Sequence, residues 1–183
     1  MEHDAAERLN VLVSRDRKFL IKAWIDKALA TYPPKTSEIF KNQKDQFANP
    51  VGATLFRSLE GIFDQLLLEK STEDLPRHVE ELVKVRAVQD FTPSGAVSFL
   101  LDLKKIIRKH CGREISESGL ESALFALEER IDLVCLLAFD LFMQQREKIW
   151  QLRSQELQQR ASYLLRKKAG VVPIDGEQQE PVS

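Results

Sequence analysis

Apolar residues recur along this chain at three- and four-residue spacing from Leu9 to Leu152, and no stretch alternates with a period of two. The first spacing is that of amphipathic helices packed on one core; half-buried strands need the second. Between about Ala5 and Ala30 the positions Leu9, Leu12, Val13, Leu20, Trp24 and Ala28 share a face, predicting one long first helix stopped by Tyr32-Pro33-Pro34. Thr36 caps a short second helix carrying Ile39, Phe40 and Phe47. Asn49 followed by Pro50 is an N-cap with a first-turn proline, and opens a third helix to about Leu68, apolar at Val51, Leu55, Leu59, Ile62 and Leu66. A polar connector from Ser71 to Asp74 leads to a fourth helix, opened by Pro76 and ending near Gln89.

The fifth helix is predicted over Pro93 to about Lys109, with Thr92 as N-cap. Its basic run of Lys104, Lys105, Arg108, Lys109 and His110 suits a C-terminal dipole, and Gly112 suits the left-handed cap that follows. Ser118 with Glu121 reads as a capping box for the last helix, and from Leu120 no Gly or Pro interrupts until Gly170. That helix carries a stripe of Ile131, Cys135, Ala138, Phe142, Ile149 and Leu152, then turns polar. The expected fold is all-α with about six helices: a helical domain over 5–152, a polar helical extension over 153–169 and a disordered tail over 170–183.

The junction from Val85 to Ser94 holds the most unusual polar residues. Read back from Asp90, the residues Val88, Val85, Val83, Leu82, Val79 and Leu75 form a stripe, and Arg86 lies on or beside it, where a guanidinium needs acceptors. Asp90 at a helix C-terminus opposes the dipole, so it either pairs with Arg86 or faces the next N-terminus, marked by Thr92 and Pro93. Arg86, Gln89 and Asp90 thus read in two ways. They are a buried polar lock between the fourth and fifth helices, or groups that line a pocket or interface and respond to a bound signal.

The run VRAVQDFTPSGAV, with Phe91, Pro93 and Ser94, resembles the signature of the RsbRD N-terminal domain family, the input domains of RsbT co-antagonist proteins and some bacterial sensor kinases. Asp45 to Gly52, with Asn49 and Pro50, and the late helix Phe139 to Trp150 are similar to that family in the same order. The resemblance implies a globin-like or bundle-like sensor domain without enzymatic activity, which binds a signal or protein and transmits through its last helix. It also implies a homodimer, since an apolar stripe that outruns one domain must be covered and a second copy of the same helix commonly does so. Ala138, Phe142, Gln145, Ile149 and Leu152 are the expected interface, with Gln145 fixing register through a cross-interface hydrogen bond. No STAS domain, kinase or DNA-binding module follows Leu152, so the expected output is a protein partner in trans.

Composition narrows the chemistry. At 183 residues the chain is one domain by length. Its 27 basic and 28 acidic residues leave a net charge of -1, with no field for nucleic acid or anionic lipid. Cys111 and Cys135 have neither the number nor the spacing of a disulfide framework or zinc site, and no apolar run is long enough for a span or leader, which points to the cytoplasm. None of His3, His78 and His110 lies mid-helix on an apolar face, so neither haem nor another metal cofactor is expected. No nucleophile elbow, HExxH, P-loop or CxxC spacing occurs, so no catalytic residue is assigned. Two other readings stand beside the sensor: a scaffold of a redox or stress-signalling complex, and an enzyme of unassigned type.

Overall fold

In the computed structural model, residues 2–42, 49–68 and 74–168 are described, and among them all regular structure is helical. The elements are α1 (Glu2–Arg15), α2 (Arg17–Ala30), α3 (Pro34–Asn42), α4 (Pro50–Leu67), α5 (Leu75–Ala87), α6 (Pro93–Val97), a 3-10 turn (Ser98–Leu101), α7 (Asp102–Glu117) and α8 (Glu121–Lys168). Residues 43–48, which include Phe47 and the first half of the Asp45 motif, residues 69–73 and the tail from 169 lie outside the described residues.

Two of the caps read from the sequence form as expected, whereas Thr36 lies inside α3, which already starts at Pro34. The Asn49 side chain accepts from Gly52 N at 2.9 Å with Pro50 in the first turn of α4, and the Thr92 hydroxyl accepts from Gly95 N at 3.1 Å ahead of Pro93. Leu20, Trp24, Leu55, Leu59, Ile62, Val79, Leu82, Phe99, Leu103, Ile107 and Ile131 build the core. Trp24 satisfies its indole there, donating to Phe99 O at 3.0 Å. Gly61 lets α5 approach α4, because a Cβ at that position would lie 2.5 Å from the His78 ring.

Three helix boundaries differ from expectation. The first helix breaks at Asp16, where three successive residues are tied to other helices: Arg15 to Glu114 at 2.7 Å, Asp16 to His110 at 3.2 Å and Arg17 to Asp64 at 2.7 Å. The fifth divides into α6, the 3-10 turn and α7, and α7 continues through Gly112 because Cys111 and Ile115 extend its buried face. Its left-handed cap is Gly119, at φ +65°, with Leu120 N bonded to Ile115 O at 3.0 Å and Gly119 N to Ser116 O at 3.1 Å, the Schellman arrangement. The basic run is therefore mid-helix: Lys104 pairs with Asp132 at 2.7 Å and Arg108 with Glu128, both on α8. Ser118 is the C-cap of α7 rather than half of a capping box, and the Glu121 carboxylate accepts from Ser116 Oγ at 2.9 Å.

The chain divides into two compact units, Met1–Arg146 and Glu147–Ser183. In the first, α8 buries Leu124, Leu127, Ile131, Val134, Ala138 and Phe142, and exposes Leu133, Leu136, Phe139 and Met143. Ala138 and Phe142 are each 0% exposed within a single chain, which corrects their assignment to a dimer interface: they are core. In the second unit the described residues 147–168 are helical and none of 147–167 is buried; Ile149 is half-buried and Leu152 exposed. No described helix is long and apolar enough to cross a membrane.

Candidate functional site

Arg86 is in the last turn of α5 and is fully buried, the only buried cation among the described residues. Helical spacing places it on the inner face with Val79, Leu82 and Val83, as its sequence position required. What surrounds it is an aromatic cage. Its Cζ stands 4.1 Å from the centroid of Phe91, 4.6 Å from Phe99 and 5.0 Å from Tyr32. Tyr32 also meets Phe91 and Phe40 edge-on, each at 5.2 Å. Nη2 donates to Thr31 Oγ1 at 2.8 Å and to Gly95 O at 3.4 Å.

Among the described residues no carboxylate closes the site. Asp90 is exposed and makes no ion pair with Arg86, which corrects the expected lock, and the N-terminus of α6 is capped by Thr92 instead. Nε and Nη1 of Arg86 and the hydroxyl of Tyr32 are buried without a hydrogen-bond partner. Burial pushes the guanidinium pKa down from its ordinary value and pushes the Tyr32 phenol up, the latter opposed by Arg86 and by Gln89 beside it. Desolvating such a cation costs several kcal/mol. Cation–π contacts return about 2 kcal/mol at a desolvated ring, and the C-terminal end of the α5 dipole about 1 kcal/mol more.

The cage is linked to α8. Arg146 donates through Nη1 to Ala87 O at 3.2 Å and Gln89 O at 3.5 Å, the carbonyls on either side of Val88 at the end of α5. Gln145, expected across an interface, lies 3.5 Å from Glu80 of its own chain. Of the sequence-assigned residues, Arg86 and Phe91 meet in the cage with Gln89 at its edge, Pro93 and Asn49-Pro50 start helices, and Ser94 is exposed. Thr31, Tyr32 and Gly95 were not singled out, and Arg146 only as part of the late-helix motif. The one signal for Tyr32 was its place before Pro33-Pro34, and a stop signal says nothing about a cation partner.

Arg86, Phe91 and Gly95 of the cage lie in the stretch that carries the family signature, and a family model described as the RsbT co-antagonist protein rsbRD N-terminal domain matches residues 20–157. The chain belongs to the RsbRD N-terminal domain family. That membership points to a regulatory domain of stress signalling. A protein of Archaeoglobus fulgidus, described only as uncharacterized, is 26% identical to this RsbRD N-terminal domain over 144 residues, covering 77% of this chain and 84% of its own. No solved structure matches the chain, so its all-α fold is established without a globin-like assignment.

Proposed function

We propose that this RsbRD N-terminal domain is a non-enzymatic cytoplasmic regulatory module that binds a signal or protein partner and transmits through α8. The observation that supports it is the pair of bonds from Arg146 to Ala87 O and Gln89 O, which ties α8 to the end of the helix holding the caged Arg86. A change in the cage that moves the α5 terminus must break or remake those bonds. Affinity capture from native cells tests the reading: the parent should bring down a stoichiometric protein partner, and Arg146→Ala should weaken the capture. Turnover of a small molecule in a broad substrate screen, with no partner captured, would replace the regulator by an enzyme.

A homodimer belongs to the same proposal, moved to another face of α8. Leu133 and Leu136 are 65% and 63% exposed, and Phe139 and Met143 stand near them. Together they form an apolar patch of the kind that marks an interaction surface, and closed two-fold pairing is its commonest use. Light scattering should show a dimeric parent and a folded, monomeric Leu136→Glu/Met143→Glu variant; a monomeric parent ends the dimer.

A further inference from the structure

We infer that the Arg86 cage is a binding site for a compact monovalent anion of the size of chloride, nitrate or formate. Three independent features of the cage converge on that class. The first is charge: Arg86 is fully buried and no carboxylate among the described residues contacts it, whereas Arg15, Arg17, Lys84, Lys104, Arg108, Arg113 and Arg160 each meet one. The second is hydrogen bonding. Nη2 is occupied by Thr31 and Gly95, but Nε and Nη1 have no acceptor, and ring faces are weak ones. The third is Tyr32, only 6% exposed, whose hydroxyl makes no hydrogen bond of full geometry although Arg86 and Gln89 stand close enough to act on it.

A single acceptor placed between Arg86 and Tyr32 would use donors from both and neutralise the cation. Size and valence follow from the enclosure. Arg86 has no exposed surface, so a bulky organic anion would have to open the cage. A second charge on the ligand would leave a net negative charge in a desolvated site, which the same burial penalises. Chloride, nitrate and formate share one chemistry here, and titration separates them by affinity. This names the signal class for the regulatory reading and rests on that reading for its biological role alone; binding itself is measured on the isolated full chain.

The test is the thermal midpoint of the full-length protein titrated with sodium chloride, nitrate or formate against gluconate at matched ionic strength. A saturable rise with at least one compact anion and none with gluconate is expected, since a ligand of the native state alone stabilises by mass action. Arg86→Met, which keeps the bulk and removes the charge, should abolish the dependence. Tyr32→Phe keeps the ring and loses the donor, so the apparent Kd should rise roughly tenfold or more, and this variant carries the test if Arg86→Met does not fold. A bromide-soaked crystal should show an anomalous peak against Arg86. Midpoints that ignore anion identity, equal titrations for Tyr32→Phe and parent, or a water in place of bromide would each overturn the site. Because partner capture is read separately, binding without a partner removes the regulatory role and leaves the site, and capture without binding does the reverse.

Discussion

Arg108 and Arg86 solve the same problem in opposite ways. Arg108, on α7, donates through Nε and Nη2 to both oxygens of Glu128, which is only 7% exposed, and one turn earlier Lys104 pairs with Asp132. The two pairs make a ladder between α7 and α8, with each cation answered by a carboxylate in register. Arg86 is more deeply buried than either cation and is answered by three rings, a hydroxyl and a carbonyl. A chain that places carboxylates opposite its structural cations, yet omits one where desolvation is greatest, has left its most expensive charge uncompensated. That contrast separates a cage that can respond to its contents from a clasp that cannot.

The sharpest way to break the contrast is Phe99→Ala. It removes a fully buried ring that is both core and cage wall, and should cost roughly 3 to 5 kcal/mol in denaturant unfolding. Phe99→Leu restores most of the volume without the ring face, so the deficit that persists reads the contribution to Arg86. On the other side, Glu128→Gln keeps the shape of the clasp and removes its charge, with an expected loss of about 1 kcal/mol. Asp90→Ala should be nearly silent, within about 0.5 kcal/mol, although Asp90 is the acid that sequence alone pairs with Arg86. A loss several times larger in the unfolding midpoint would restore that pairing and end the cage as an uncompensated site.

What could be read from the sequence was what local chemistry decides. Asn49-Pro50 and Thr92-Pro93 mark helix starts because an N-cap bonds an N–H three residues away, and the all-α class follows from the 3.6 period alone. The burial of Arg86 was legible for the same reason. Its partners were not, since Thr31 and Tyr32 lie more than fifty residues upstream and only the packing of α2 against the end of α5 brings them together. Asp16 is similar: nothing in Ser14 to Lys18 disfavours a helix, and the break is set by contacts to Glu114, His110 and Asp64. Gly112 is the cap the sequence suggests, but burial of Cys111 and Ile115 carries α7 on to Gly119. On α8 the stripe was correctly identified as apolar, but Ala138 and Phe142 face inward because α8 itself completes the core.

The smallest effect concerns an ion pair with neither burial nor cage. Arg15 and Glu114 join α1 to α7 with side chains 55% and 47% exposed, and hydrogen bonding from Arg15 holds the Glu114 carboxyl below the ordinary glutamate range. A carboxylate whose pKa is depressed in the folded state contributes stability that is fully present above its unfolded pKa and is lost as pH falls through the folded one. The parent should therefore lose thermal stability more steeply than Glu114→Gln on acidification below the ordinary glutamate value. The two curves should differ little at neutral pH, because an exposed pair adds little there. They should also converge in high salt, which screens exposed charges. Melting curves from neutral pH to about pH 3, with and without about 1 M salt, check both statements: parallel curves would mean that Arg15 holds the α1–α2 break by packing alone, whereas a salt-insensitive difference would mean that the pair is more enclosed than its exposure indicates.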